Sequence, residues 1–529
     1  MRRSIVVHPF LFAAFPVLFS LANNMDQFLV NVSIGPLLVV LAVVLLCWLL
    51  LGLVLRNWTK AGLIVSLFLL LFFSYEAFYY AIRDFAVASG LSRVGTRQAL
   101  VAAWVILFAA GAYWLVRTRR ELRNLSNVAN VISACALGIS VVNVGVYELR
   151  ARSGSGNGAL ESVMADQTAL DQSSSLPDIY YIILDGYASP DTLREVYDYD
   201  NGPFLDHLTS LGFYVAGDSN ANYCQTALSL ASSLNMQYLD GFVSRIGPNY
   251  ERRAPLLPLV HHNQVSAFLK EDGYLTVVFD SGWSISDIRG ADIYMSPRWT
   301  PDEFQTLVLE MTPLPFVMEQ MGGMRDYDLH RERVLYVFEH LADFTQEEAP
   351  VFIFAHVMLP HPPFVLGPAG EEITPDYPYS LHDASSLIRE RGITREAYME
   401  GYLGQIVFAN SQVKSALEAI LSASAEPPVI ILQADHGPGA LLDWEDVEST
   451  HLRERMSILN AYYFPDGDYG QLYEGITPVN TFRVLLNTYF GTDLELLPDE
   501  SYFSTWSHPY TFIDVTERLG GAANVEVLP

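Results

Sequence analysis

The chain has 529 residues, enough for more than one domain, and 51% of them are hydrophobic. Its charges are divided unevenly: residues 1–152 hold 13 Lys and Arg against 5 Asp and Glu, whereas the remainder holds 18 against 54. Because a nucleic-acid partner requires a basic surface, the acidic remainder argues against that class of protein. Of the three cysteines, only Cys224 lies outside the apolar spans described next, which excludes a disulfide framework in the rest of the chain.

Five apolar segments precede residue 150, and each is near the length of about 20 residues that crosses a bilayer as a helix. They run at about 4–21, 33–55, 61–82, 99–116 and 128–147. The first is similar to a signal peptide, but it lacks a small-residue cleavage site and is followed by four further spans. We therefore expect residues 1–150 to form a five-helix transmembrane bundle.

The distribution of Lys and Arg among the loops predicts the orientation of these helices. With Arg2 and Arg3 inside, the inner loops carry 8 basic residues and the outer ones carry 5. Five crossings would then place everything after residue 150 outside the cytoplasm. We expect a multi-pass protein of the cell (inner) membrane, with a Gly- and Ser-rich linker at 151–177.

The pattern of residues 178–529 predicts an extracytoplasmic α/β/α sandwich around a mostly parallel sheet, because apolar strands alternate with helical segments. Strands are expected at 179–184, 274–279, 351–357, 429–434 and 458–464. Helices are expected at about 203–211, 226–238, 263–271, 326–343, 395–423 and 478–490.

Two of the predicted strands end on residues that bind hard metal ions. Asp185 follows strand 179–184, and Asp435 and His436 follow strand 429–434. Since ligands bind at the carboxyl edge of such sheets, this pair of strand ends indicates a divalent metal site.

Three further residues are candidates for the chemistry. Thr226 begins a predicted helix, where free backbone N–H groups suit a phosphate or another anion. His361 follows strand 351–357, and His451 lies fifteen residues beyond His436. Taken singly, each feature has a plainer interpretation: a turn at Asp185, a helix N-cap at Thr226, and solvated loop residues at the two histidines.

Taken together, these motifs resemble the alkaline phosphatase/sulfatase superfamily, and in particular its membrane-anchored branch of lipoteichoic acid synthases and phosphoethanolamine transferases. The resemblance implies an alkaline-phosphatase-like fold, with Asp185, Thr226, Asp435 and His436 as ligands of one Zn²⁺ or Mn²⁺ ion and Thr226 as the nucleophile. It makes His361 the second histidine of a His-x4-His segment, and it matches His451 more loosely to a later histidine. For a second metal, the sequence offers only candidates: His356, His361, His451 and His508.

The chain also departs from the family pattern. The membrane transferases mostly present Glu where Asp185 stands, and sulfatases carry two adjacent aspartates there. The residues around Cys224 lack the Cys-x-Pro/Ala-x-Arg motif that formylglycine formation requires. We therefore expect Thr226 to be the nucleophile and Cys224 to be a packed neighbour.

The resemblance implies that the phospho-group passes through Thr226, with His361 or His451 as proton donor or oxyanion stabiliser. Five spans exceed what tethering needs, so we expect a lipid-linked phospho-donor and a glycan or glycolipid acceptor. The first hypothesis is a transferase of phosphoglycerol or phosphoethanolamine. The alternatives are a membrane-anchored phosphoester or sulfate-ester hydrolase, and a non-catalytic envelope binding or assembly protein.

Overall fold

A computed structural model describes residues 5–154 and 176–520, apart from positions 26, 91, 299, 324, 348 and 378. The chain forms two compact units. The first comprises Met1–Gly154 and Pro301–Arg325, and the second comprises Ser155–Thr300 and Asp326–Pro529. Most of the predicted linker lies outside the described residues, while its positions 151–154 continue the helix that precedes it.

The first unit is built on five apolar helices, and each predicted span coincides largely with one of them. The helices are His8–Asn23, Ile34–Leu55, Trp58–Ala88, Arg93–Arg117 and Arg123–Gly154. Four of these helices are long and apolar enough to cross a membrane, whereas His8–Asn23 has only 16 residues. A short 3-10 helix, Val30–Ser33, leads into the second of the five.

Two short helices from the middle of the sequence also belong to this first unit. They are Glu303–Glu310 and Leu314–Gln320. Phe304 is buried against Phe28, with ring centroids 5.4 Å apart, and the Ser20 hydroxyl donates to the Met311 sulfur at 3.2 Å. The sequence pattern placed these residues in the 178–529 domain, because nothing local in them shows which helices they contact.

The second unit is organised around a seven-stranded sheet in the order β2-β7-β6-β1-β5-β3-β4. Its strands are β1 (Ile179–Leu184), β2 (Tyr214–Val215), β3 (Leu275–Phe279), β4 (Ile293–Met295), β5 (Val351–Val357), β6 (Val429–Gln433) and β7 (Asn460–Tyr463). Strands β4, β3, β5, β1 and β6 are parallel, and β7 is antiparallel to both β6 and β2. The prediction of a mostly parallel sheet is confirmed. Strands β8 (Tyr502–Phe503) and β9 (Ile513–Asp514) form a separate ribbon.

Helices connect these strands. They are Pro190–Tyr197, Gly202–Ser210, Thr226–Ser233, Asp240–Ile246, Leu257–His261, Gln264–Glu271, Asp326–His340, Ala384–Arg391, Arg395–Ala423, Leu452–Met456, Pro478–Phe490 and Thr516–Leu519, with 3-10 turns at Ala254–Leu256 and Leu341–Phe344. The helix predicted at 226–238 ends at Ser233, because the chain turns there and Met236 adopts a left-handed φ of 57°.

The three central strands of the sheet carry the candidate site. Every residue of β1, β5 and β6 is buried, as expected for strands covered on both faces, and this explains their continuous apolar runs. Strand β1 lies between β5 and β6. Because all three are parallel, their carboxyl ends meet at one edge of the sheet.

Candidate metal centre and nucleophile

The carboxylates of Asp185 and Asp435 meet at this edge. Asp185 directly follows β1, and Asp435 lies two residues beyond β6. Gly186 takes a left-handed φ of 76°, which turns the chain after β1, and its N–H donates to Asp435 Oδ1 at 3.1 Å. Among the described residues, both oxygens of Asp185 and Oδ2 of Asp435 are buried without a hydrogen-bond partner. Leaving buried carboxylates uncompensated is costly, so this arrangement fits a bound cation.

His436 points a nitrogen lone pair toward these carboxylates. Its Nδ1 donates to the carbonyl of Gly437 at 2.9 Å. Since a carbonyl only accepts, Nδ1 carries the proton of the neutral ring and Nε2 carries the lone pair. Nε2 lies 3.2 Å from Asp435 Oδ2 and 3.9 Å from Asp185 Oδ1. Burial and the neighbouring Arg455 lower the pKa of His436, which favours the neutral ring that binds metals.

Thr226 contacts the same nitrogen. Its Oγ1 lies 2.8 Å from His436 Nε2, and Thr226 is the first residue of its helix, with Gln225 as the N-cap. The helix is fixed to the loop after β6 by Ser229, whose hydroxyl donates to the Asp435 carbonyl at 2.8 Å. The structure therefore brings Asp185, Thr226, Asp435 and His436 together.

The glycine of Asp-His-Gly is required by a close approach of two backbones. A Cβ on Gly437 would lie 1.9 Å from the carbonyl oxygen of Glu454. The Gly437 N–H instead donates to the Arg455 carbonyl at 2.7 Å. This contact holds the loop that carries Asp435 and His436 against the segment around Arg455.

His356 lies next to Asp185 at the same edge of the sheet. In the register of β1 and β5, His356 pairs with Ile183, and its Nε2 lies 3.2 Å from Asp185 Oδ2. One ligand atom each from Asp185, His356 and Asp435 fall within 4.8 Å of one another. In the sequence, His356 matched the first histidine of the His-x4-His segment and was a candidate ligand for a second metal.

Neighbouring imidazoles favour the ionised form of Asp185. Burial alone would raise the pKa of its carboxyl group, but His361, His356 and His436 together hold it well below its usual value. Asp383 is in a similar position, since burial opposes its ionisation while His361 and Arg455 lower its pKa. The site is therefore suited to positive charge at its centre.

His361 follows β5 in the chain, as the sequence predicted. Its side chain is buried, and its Nδ1 is hydrogen-bonded to the carbonyl of Pro362. By the reasoning applied to His436, its Nε2 bears the lone pair of the neutral ring. The His361 imidazole lowers the pKa of both Asp185 and Asp383 against the effect of burial.

His451 has a different environment. It caps the helix Leu452–Met456, with its Nδ1 accepting the Glu454 N–H at 3.1 Å. Its pKa is lowered by burial and by Arg453. The structure gives His451 a capping role, and its part in proton transfer stays a prediction.

Arg455 is a site residue that sequence reasoning missed. Its buried guanidinium donates to His436 Nε2 at 3.1 Å, to Asp383 at 3.0 Å and to the Cys224 carbonyl at 2.9 Å. No local motif marks it, since its role depends on contacts between distant segments. Cys224 itself is buried, with its sulfur packed against the backbone of Ser504, and burial raises the pKa of its thiol.

Comparison with known proteins gives one family match. The sulfatase family model matches residues 177–484, more than half of the chain. A search of curated proteins returned no match.

Several solved structures have a similar but distant fold. The periplasmic domain of EptC from Escherichia coli, in a complex with Zn, is 13% identical, with 65% of this chain and 94% of that chain covered and a TM-score of 0.41. The integral membrane phosphoethanolamine transferase EptA from Neisseria meningitidis is 11% identical, with 92% and 94% covered and a TM-score of 0.41. A putative sulfatase from Bacteroides thetaiotaomicron is 12% identical, with 64% and 75% covered and a TM-score of 0.39.

Proposed function

Because the chain belongs to the sulfatase family, of the alkaline phosphatase/sulfatase superfamily of enzymes, we propose that it is a membrane-bound, metal-dependent phospho-group transferase with Thr226 as its nucleophile. The observation that carries the proposal is the position of the Thr226 hydroxyl. It lies 2.8 Å from Nε2 of His436, the nitrogen that faces the buried carboxylates of Asp185 and Asp435, and three of the four oxygens of these carboxylates lack a hydrogen-bond partner among the described residues.

The donor set fits one divalent cation. Asp185, Thr226, Asp435 and His436 would hold it, and two carboxylates, a hydroxyl and an imidazole suit Zn²⁺ or Mn²⁺ without choosing between them. When bound, such an ion lowers the pKa of a coordinated hydroxyl and neutralises charge on phosphoryl oxygens. The tautomer of His436, fixed by Gly437, keeps the ring ready for this role.

The side chains of the protein supply the remaining steps. Thr226 Oγ1 gives its proton to a neighbouring imidazole and bonds to phosphorus, the bond from phosphorus to the first alcohol breaks, and that alcohol takes the proton as it leaves. The phosphothreonine then passes the group to a second alcohol, which restores the Thr226 hydroxyl. The imidazole of His361, whose Nδ1 is hydrogen-bonded to the Pro362 carbonyl, would take up this proton at Nε2 and return it to the leaving alcohol, whereas Nδ1 of His451 is occupied by a helix cap.

The substrates follow from the apolar helices. Four helices able to cross a bilayer are more than a tether needs, which supports a lipid-linked phospho-donor, with phosphoglycerol or phosphoethanolamine as the transferred group. The acceptor would be a glycan or glycolipid on the extracytoplasmic side of the cell membrane. A membrane-anchored phosphoester or sulfate-ester hydrolase is the second candidate, favoured by the family match itself.

Intact-mass analysis of the purified full-length protein tests the nucleophile. Incubated with phospholipid and no acceptor, the native protein should gain the mass of the transferred group on Thr226. Thr226→Ala should gain nothing and lose activity by about a thousandfold or more, while the exposed control Thr209→Ala should behave as the native protein. An adduct of unchanged yield on Thr226→Ala would rule out this nucleophile.

The same assay separates transfer from hydrolysis. A transferase should release product in quantity only when an acceptor alcohol is added. A hydrolase should turn over with donor and water alone.

A further inference from the structure

We propose that His356 is a further ligand of the metal ion, bound through Nε2 and held in place by Ser286. The inference rests on the metal site of the proposed function, but not on the identity of the nucleophile or of the transferred group. It concerns a residue for which the ligand set Asp185, Thr226, Asp435 and His436 leaves no role.

A chain of buried hydroxyl groups holds the other nitrogen of this ring. Ser286 Oγ lies 2.7 Å from His356 Nδ1, and Ser281 Oγ lies 2.9 Å from Ser286 Oγ. Ser281 Oγ in turn donates to the carbonyl of Trp283 at 3.2 Å and accepts the Trp283 N–H at 3.1 Å. Ser281 and Ser286 lie in the loop that follows β3, the strand next to β5.

The chain of hydroxyl groups has a direction, because the Trp283 carbonyl can only accept. Ser281 uses its proton on that carbonyl, so Ser286 donates to Ser281, and His356 Nδ1–H donates to Ser286. This order gives each hydroxyl proton an acceptor. It places the ring proton of neutral His356 on Nδ1 and the lone pair on Nε2.

The lone pair of Nε2 then faces a carboxylate. His356 Nε2 lies 3.2 Å from Asp185 Oδ2, yet neither atom has a hydrogen-bond partner among the described residues. The two atoms are therefore close without the alignment of an N–H···O bond. Two buried lone pairs at this distance repel each other unless a cation lies between or beside them.

Four buried atoms without partners converge on one place. They are Oδ1 and Oδ2 of Asp185, Oδ2 of Asp435 and Nε2 of His356, and Asp185, Asp435 and His356 can each offer a ligand atom within 4.8 Å of the others. His436 is arranged in the same way as His356: its Nδ1 is hydrogen-bonded to a carbonyl, and its Nε2 faces the carboxylates. A histidine ligand whose second nitrogen is fixed by a hydrogen bond is the usual arrangement at metal sites.

Metal binding by the full-length protein tests the assignment without any substrate. The protein is purified in detergent, stripped with a chelator, and titrated with Zn²⁺ against a chromophoric competitor. His356→Ala should weaken Zn²⁺ binding by at least about tenfold, and Ser286→Ala, which leaves the ring free to turn, should weaken it by up to about tenfold. His207→Ala, a histidine of the helix Gly202–Ser210, is the control and should bind as the native protein.

The absorption spectrum of Co²⁺ bound in place of Zn²⁺ gives a second readout. Loss of a ligand changes the coordination number, so the visible bands should change in position and intensity in His356→Ala but not in His207→Ala. Ser286→Ala should shift the bands in the same direction. Circular dichroism of the stripped proteins shows whether His356→Ala folds. If it does not, the Co²⁺ spectrum of Ser286→Ala tests the inference in its place: shifted bands support it, and unchanged bands overturn it.

Unchanged Zn²⁺ affinity and an unchanged Co²⁺ spectrum in folded His356→Ala would overturn the inference. A native protein that binds no metal would remove both this inference and the metal-dependent function. Weakened metal binding in His356→Ala, combined with no mass gain on Thr226, would leave this inference standing and remove only the nucleophile assignment.

Discussion

At the scale of single residues, Glu454 shows how burial sets ionisation next to the site. Its carboxyl group is fully buried and accepts hydrogen bonds from the Tyr197 hydroxyl and from the N–H groups of Ala440 and Leu441. Burial is the largest influence and raises the pKa of Glu454 to about 7. Because Glu454 also caps the loop that follows His436, its protonation state affects the stability of the site loop.

This raised pKa predicts a pH dependence of stability. The folded-state pKa of about 7 lies above the unfolded value of 4.5, so the stabilising contribution is complete below pH 4.5 and is lost as the pH rises through 7. Between pH 5 and pH 8, Glu454 should lower the free energy of unfolding by up to about 3 kcal/mol. Thermal unfolding of the metal-stripped protein at several pH values in this range measures the slope of the free energy of unfolding against pH.

Glu454→Gln separates this residue from the other titrating groups. The neutral side chain should remove most of the slope between pH 5 and pH 8, whatever its effect on overall stability. Glu448→Gln, whose native side chain is 74% exposed, is the control and should keep the slope. Equal slopes in Glu454→Gln and in the native protein would contradict the assignment.

At the scale of elements, the pattern of the sequence was sufficient where local physics decides the structure. Strands β1 and β5 and the helices Arg395–Ala423 and Pro478–Phe490 lie at their predicted positions, because long apolar runs and clear helical periodicity mark them. Asp185, Asp435 and His436 were recognisable for the same reason. Each follows a fully buried strand, and the carboxyl ends of adjacent parallel strands must lie close together.

The features that the sequence did not reveal depend on contacts between distant segments. Arg455 meets His436 and Asp383 only through the fold, and the link from Ser286 to His356 joins two neighbouring strand ends that are 70 residues apart in sequence. His451 matched a family histidine in sequence, but its local surroundings are those of a helix cap. The grouping of residues 301–325 with the apolar helices is likewise invisible in the local pattern.

The grouping of these residues with the apolar helices can be tested through Phe304. Its ring is buried against Phe28 in the first unit, so Phe304→Ala should cost about 3–5 kcal/mol of the packing that holds the helix Glu303–Glu310. Limited proteolysis in detergent should then cut within residues 301–325 faster than in the native protein. Leu309→Ala removes a side chain that is 37% exposed and should leave the cleavage rate nearly unchanged. Equal cleavage of both variants would show that Phe304 does not anchor the helix.

At the scale of the whole molecule, exposed apolar side chains and charge divide the chain in the same way. Large exposed hydrophobic residues are concentrated in the first unit, with Leu53 at 66% and Val54 at 78%. Most of the acidic charge lies beyond residue 152. Exposed apolar helices are stable in lipid, whereas a strongly acidic domain remains in water, so the division supports a membrane-embedded first unit.

Cysteine labelling tests the proposed topology. In a background with Cys47, Cys135 and Cys224 replaced by serine, single cysteines are placed at the exposed positions Glu448 and Arg120. An impermeant maleimide added to spheroplasts should label Glu448→Cys and should label Arg120→Cys only after lysis, because the basic loops stay inside.

A third position decides whether the helix His8–Asn23 crosses the bilayer. Ile5 is 73% exposed and lies just before this helix. If all five helices cross, Ile5→Cys should be protected in spheroplasts like Arg120→Cys, because both positions would be cytoplasmic. If only the four longer helices cross, Ile5→Cys should be labelled together with Glu448→Cys, while the side assigned to the acidic domain would not change. Labelling of Arg120→Cys before lysis would show that the orientation is the reverse of the predicted one. The proposed lipid-linked substrates on the extracytoplasmic face could then not reach Thr226.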